Sequence, residues 1–274
     1  MRSKTGAASL LRTVVGILIL ACTVTGGFQP MTASAEDLTI AAASDLNFAF
    51  KEIIAGFERE TGIDIKLSLG SSGNFYAQIQ NGGPFDLYFS ADVGFPKKLE
   101  EAGMVVPGSL YQYAIGRVVV WVRNQSPVDV EREGIRALLD PSIRKIAIAN
   151  PKHAPYGRAA VAALHHYKLY DQVKDKLVLG ENISQAAQYV ESGAADVGII
   201  ALSLALAPSM KGAGKHWVIP SETHPPLVQG AVILRDSKHQ VEARKFVAYV
   251  GRAEGREIMR RYGFVLPDES PAKQ

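Results

Sequence analysis

Apolar residues follow two alternating rhythms along most of this chain. Leu38-Thr39-Ile40-Ala41-Ala42-Ala43 is a run of small and β-prone residues, the pattern of a short buried strand. Directly behind it Leu46, Phe50, Ile53, Ile54 and Phe57 recur at helical spacing, so a helix opens at Ser44. Ile63, Ile65, Leu67 and Leu69 alternate as a strand does. The turn Gly70-Ser71-Ser72-Gly73 leads into a short helix from Phe75 to Gln80, which Asn81-Gly82 stops. Leu87-Tyr88-Phe89 is a third strand, and Asp92 is placed to cap the helix that carries Leu99. The order βαβαβα requires a parallel sheet with helices packed on its faces.

A second unit of the same form follows. Val118 to Val122 is a continuous apolar strand, and Glu131 to Asp140 is predicted as a charged helix ended by Pro141. Ile146 to Ala149 is a strand, and Pro155-Tyr156-Gly157 leads into a helix with Ala160, Val161, Ala163 and Leu164. Leu177 to Leu179 is a strand, Gly180-Glu181-Asn182-Ile183 opens the helix of Ala186, Ala187 and Val190, and Val197 to Ile200 is a strand. His216 to Ile219 and Ala231 to Leu234 are further strands, before helices at Val241 to Val250 and Glu254 to Tyr262. The pattern predicts an α/β protein of two doubly wound lobes with a ligand cleft between them. Residues 36–116 and 226–274 form lobe 1, and 117–225 form lobe 2.

Composition changes this picture little. The 274 residues, 47% hydrophobic and 21% charged, suffice for two modest domains. A formal charge of +3, with its basic residues scattered, argues against nucleic acid as a partner. The N-terminus adds more. Arg2, Lys4 and Arg12 precede a mostly apolar stretch from Val14 to Val24, and Ala33-Ser34-Ala35 offers a cleavage site. Residues 1–35 therefore read as a signal peptide for export. The sole cysteine, Cys22, lies inside it, and Ile19-Leu20-Ala21-Cys22 loosely resembles a lipoprotein processing site that would tether the chain. Either way the working compartment is outside the cytoplasm.

Candidate chemistry gathers where strands end and helices begin. In open α/β sheets ligands bind at the carboxyl ends of the strands. There lie Ser44, the Ser71-Ser72-Gly73 turn, the Pro155-Tyr156-Gly157 turn and Asn182-Ile183-Ser184. A serine that opens a helix has two uses, capping its own helix or helping the free N–H groups of the first turn hold an anion. Four such starts around one cleft favour a small, fully ionised oxyanion, because a site of donors penalises a guest that keeps a proton. Each bond to a charged group contributes about 1.5–3 kcal/mol, so about five to seven of them allow micromolar to nanomolar binding. Other chemistries fit less well. Adjacent His165 and His166 face different ways on a helix, so no metal site is expected. His153 is expected to face solvent. A serine hydrolase lacks its Gly-x-Ser-x-Gly elbow, and an amino-acid binder would place an arginine and a carboxylate in the cleft.

Several of these stretches together resemble a known family. They are Ala41-Ala42-Ala43-Ser44, Ser71-Ser72, Pro84 to Asp92, Asn150-Pro151-Lys152-His153-Ala154-Pro155-Tyr156-Gly157 and Arg261-Tyr262-Gly263-Phe264. In this order and spacing they resemble the periplasmic molybdate-binding proteins of ABC importers over essentially the whole mature chain. The resemblance implies a type II periplasmic-binding fold that closes like a hinged clam around molybdate or tungstate. It implies no enzymatic activity, no cofactor, and delivery to a membrane permease with its ATPase subunit. A monomer is expected, since a clam must be free to shut. The family's serine contacts fall on Ser44 and Ser72, and its backbone N–H contacts on Tyr156 and Ile183. A tyrosine hydroxyl usual after the Val197-Gly198-Ile199-Ile200 strand is replaced by Ala201. One donor is thus missing, and sulfate stands as the alternative guest. The Tyr156 hydroxyl is expected either to swing in as its replacement or to pack at the cleft rim.

Overall fold

The computed structural model describes residues 37–269. The predicted signal peptide and Cys22 lie outside the described residues. Strand β1 (Leu38–Ala43) runs through a 3-10 turn, Ser44–Leu46, into α1 (Asn47–Thr61). Then come β2 (Ile65–Gly70), α2 (Ser72–Gln80), β3 (Leu87–Ser90) and α3 (Gly94–Glu101). Strands β2 and β3 flank β1 in parallel, with Ile40 opposite both Leu67 and Leu87. The right-handed crossovers this demands put α1 on one face of the sheet and α2 and α3 on the other. On the first face Phe50, Phe57, Phe89 and Phe246 meet edge to face at centroid distances of 4.9–5.9 Å. On the second, Phe75, Ile79 and Leu99 pack against Ala41 and Tyr88.

Strand β4 (Tyr111–Gly116) stays in this sheet, whereas β5 (Val118–Arg123) belongs to a second one, so the chain crosses at Arg117. The second sheet is built from α4 (Val130–Glu133), β6 (Ile146–Ala149), α5 (Pro155–His166), α6 (Tyr170–Val173), β7 (Leu177–Gly180), α7 (Ile183–Glu191), β8 (Val197–Ala201), α8 (Leu202–Ala205) and β9 (Gly214–Val218). The return crossing lies between Val218 and Leu227, and β10 (Leu227–Ile233) re-enters the first sheet before α9 (Gln240–Gly251) and α10 (Ala253–Arg261). Strand orders are β2-β1-β3-β10-β4 and β7-β6-β8-β5-β9. Each sheet is mixed, and each repeats one plan of three parallel strands, one antiparallel crossing strand (β10 or β5) and an outer strand. The result is an α/β molecule of two lobes, with the carboxyl ends of β1, β2, β6 and β7 facing a common cleft.

Two elements differ from the sequence reading. The helix expected over Glu131 to Asp140 is one α-turn followed by a 3-10 segment, Gly134–Leu139. Gly134 takes φ of 59°, outside the helical region, and interrupts the α-pattern there. The strand expected at Ala231 starts earlier, at Leu227, because a register shift between Gln229 and Gly230 lets β10 continue along β4.

Candidate functional site

Four chain segments that start helices close around one small cavity. It is lined by Ala43, Ser44 and Asp45 after β1, Gly70, Ser71 and Ser72 after β2, Ala154, Pro155 and Tyr156 at the start of α5, Ile183 at the start of α7, and Ala91. Its volume is about 10 Å³, room for about one water. Among the described residues no lysine or arginine lines it, and Asp45 is its one ionisable carboxyl. The first-turn N–H groups of a helix have no intrahelical acceptor and carry a partial positive charge. Positive potential in the cavity thus comes from oriented neutral groups.

Where each serine's proton goes decides what it can offer. Ser72 Oγ accepts from the Ala91 N–H at 3.0 Å, and its carbonyl accepts from the Tyr88 hydroxyl at 2.7 Å. With its lone pair engaged from behind, the Ser72 hydroxyl proton is free to point at a guest. Ser71 is different. It donates to the His153 carbonyl at 2.6 Å, where the Gly73 N–H also donates at 2.9 Å. Ser44 does not cap its own helix. Its hydroxyl donates to Asn182 Oδ1 at 3.1 Å and accepts from the Ser184 N–H at 3.2 Å, while Ser184 Oγ donates to the Ser44 carbonyl at 2.8 Å. Asn182 also caps α7, accepting from the Gln185 N–H at 3.0 Å. Ser44 and α7 are in this way held together across the cleft.

Tyr156 and Ile183 contribute differently from the serines. Pro155, without an N–H, pre-sets the first turn of α5, and Tyr156 follows in that turn. Gly157 makes the approach feasible, since a Cβ there would stand 2.1 Å from the Ala149 carbonyl oxygen. The Tyr156 ring runs away from the cavity into the crossing region. Its hydroxyl donates to Asp45 Oδ2 at 3.0 Å and accepts from Gln229 Nε2 at 3.2 Å. This corrects the expectation that the hydroxyl replaces the missing tyrosine donor, and it is not at the rim either. A buried phenol must keep its hydrogen bond, and Asp45 supplies the stronger one. The Ile183 side chain is buried in the core of the second lobe, so only its backbone can serve a guest. Ala201, where the hydroxyl is lacking, is buried at the end of β8 and does not line the cavity.

Sequence reasoning missed a network beneath the cavity. Gln229 Nε2 donates to Asp45 Oδ2 at 2.6 Å, and Ser203 Oγ donates to the Asp45 carbonyl at 2.7 Å. Burial pushes the Asp45 carboxyl up to about 6, against the pull of the hydrogen bonds from Gln229 and Tyr156 and of the nearby amide dipoles of Asp45 and Leu46. Tyr156 and Tyr113 are both pushed well above the ordinary phenol value by burial and by the nearby Asp45. His153, expected in solvent, instead lies with Nδ1 2.9 Å from Ser71 Oγ. Asp92, expected to cap α3, lies one residue ahead of the N-cap Val93 and accepts from the Gly94 N–H at 2.8 Å in a local turn, while its other oxygen meets Arg158 of the opposite lobe at 2.6 Å. His165 and His166 are exposed. Among the described residues, no group of three or more His, Asp or Glu side chains is placed to hold a metal ion.

Comparison with known proteins fits this geometry. A model of the bacterial extracellular solute-binding proteins matches residues 38–265. The molybdate-binding protein ModA of Rhodobacter capsulatus is 37% identical over 86% of this chain and 90% of its own. That of Azotobacter vinelandii is 37% identical over 94% of this chain and 98% of its own. The solved structure of an Azotobacter vinelandii periplasmic molybdate-binding protein superposes with a TM-score of 0.79 at 35% identity, covering 84% of this chain and all of that one. With its two lobes, its cleft and these relatives, the chain belongs to the bacterial extracellular solute-binding proteins, alongside the members named for binding molybdate.

Proposed function

We propose that this protein captures molybdate between its lobes outside the cytoplasm, in the periplasm, and delivers it to the permease and ATPase of an ABC importer. One observation carries the reading. Helix starts from both lobes, and serine hydroxyls from the first, converge on a cavity that, among the described residues, no lysine or arginine lines. Ser72 through its hydroxyl, Ser44 once its proton turns from Asn182 Oδ1 to the guest, and the N–H groups of Tyr156 and Ile183 are the assigned contacts. Such a site suits a doubly charged anion that needs no acceptor, and tungstate offers the same shape and charge. Each charge-assisted bond contributes about 1.5–3 kcal/mol, and the helix ends add about 0.3–1 each. No catalytic duty follows from Ser71 beside His153, because the Ser71 proton is held by the His153 carbonyl at 2.6 Å.

Calorimetry of the purified protein against molybdate, tungstate, sulfate and phosphate tests this directly. Molybdate and tungstate are expected to bind in the micromolar to nanomolar range, and sulfate more weakly. Absence of heat with all four would remove the function, and tighter binding of sulfate would reassign the guest.

A further inference from the structure

The buried group under the cavity does more than fill space. Asp45 is 1% exposed and joins three elements, namely its own turn after β1, α5 through Tyr156 and β10 through Gln229. Both donors go to the same oxygen, Oδ2, at 3.0 and 2.6 Å. Asp45 Oδ1 and Gln229 Oε1 are buried with no hydrogen-bond partner. Two unpaired acceptors on two groups already bonded to each other is an arrangement a carboxylate does not satisfy. One proton on the carboxyl turns an acceptor into a donor, and an acid beside a carboxamide can then give and take a bond. Among the described residues no cation compensates the charge. The titratable groups that face Asp45 are Tyr156 on α5 and Tyr113 on β4, and the uncharged Ser203 on α8 and Gln229 on β10 complete its surroundings. Asp45 also lines the cavity, so a doubly negative guest brings like charge beside it, which favours the protonated carboxyl.

We propose that Asp45 is a proton-coupled latch: capture of a dianion draws one solvent proton onto its carboxyl, and the neutral acid then holds Tyr156 and Gln229 in the closed arrangement. The latch rests on the oxyanion-capture reading above. The balance is simple, one anion and one proton bound, with release returning both. Its direction follows from the free carboxyl, which burial sets at about 6. Above that pH the proton must be acquired on binding, so affinity falls as pH rises, by up to about tenfold per unit. Below it the proton is already present and the dependence flattens.

The test is calorimetry with sodium molybdate at pH 7.5, in buffers of different ionisation enthalpy, with a protein-free blank for the anion's own protonation. Uptake approaching one proton per molybdate is expected for the wild type. Affinity is expected to fall at least tenfold from pH 6 to 8. Asp45→Asn, which keeps the shape and carries an amide donor, is expected to bind with no proton uptake and with affinity constant within about twofold over that range. Molybdate binding whose heat ignores the buffer overturns the latch and leaves capture standing. An Asp45→Asn variant that keeps the wild-type pH slope also overturns it, and should that variant not fold, the wild-type buffer series decides alone. No binding of molybdate by the wild type overturns capture and latch together.

Discussion

Ser72 and Tyr156 show how far a single hydroxyl's partners determine its use. Ser72 holds the Ala91 N–H with its lone pair, so Ser72→Ala removes a donor to the guest and also leaves a buried N–H unpaired. The variant is expected to lose about 1.5–3 kcal/mol of molybdate affinity in calorimetry, and about 1–3 kcal/mol of stability in urea melts. Tyr156→Phe should behave differently, because its hydroxyl serves Asp45. It is expected to lose about 1 kcal/mol of stability while molybdate affinity at pH 6 stays within about threefold. A loss of affinity on the Ser72→Ala scale would return that hydroxyl to the anion. Asp45 itself is a stability liability at neutral pH. Its folded value of about 6 lies above the ordinary 3.8, so between those values the folded protein binds the proton more tightly than the unfolded chain. Stability therefore falls as pH rises through that window and stays lower above it. Asp45→Asn is expected to stabilise by about 2–3 kcal/mol at pH 7.5 and by little at pH 4, read from urea midpoints.

At the scale of elements, the site is made by helix starts, and α5 shows how tightly one is set. A Cβ on Gly157 would meet the Ala149 carbonyl oxygen at 2.1 Å and its carbon at 2.8 Å, both backbone atoms of β6 that cannot rotate away. Gly157→Ala is expected to push α5 off the strand end, costing about 1–3 kcal/mol as overpacking does. A lower melting temperature together with weakened molybdate binding would show it, since the Tyr156 N–H moves with the turn. Most of these starts were legible in the sequence. Strand runs followed by helical spacing place Ser44, Ser72, Tyr156 and Ile183 at strand ends with only local information, and the structure brings all four to one cavity. The Asp45 network was not legible, because its bonds join residues 111 and 184 positions apart and nothing local marks Gln229 as a partner. The irregular segment after Val130 was misjudged for a related reason. Its charged, periodic residues suggest a helix, while Gly134 takes a positive φ and lies against the Trp217 ring of β9, which a Cβ there would meet at 3.1 Å.

Across the whole molecule, closure depends on bonds of unequal worth. The inner ones, Ser184 to Ser44 and Ser71 to His153, are short and partly buried. The rim pair Arg158–Asp92 is 2.6 Å long, but its side chains are 40% and 38% exposed. An ion pair so wet contributes about 0–1 kcal/mol and is screened by salt. Arg158 also lies over the Phe95 ring, 5.6 Å from its centroid, which adds about 0.5–1 kcal/mol. The cation therefore biases the lobes toward closure without touching the guest. If the competent closed state is partly populated, apparent affinity drops in proportion to its lost fraction. Arg158→Gln is expected to weaken molybdate binding by less than about tenfold, mainly through faster dissociation, with the difference from wild type shrinking in high salt. In small-angle scattering the variant should be more expanded than wild type without molybdate and equally compact at saturation. A salt-independent loss as large as that of Ser72→Ala would instead place Arg158 at the anion, and the cavity would no longer be one that neutral donors hold alone.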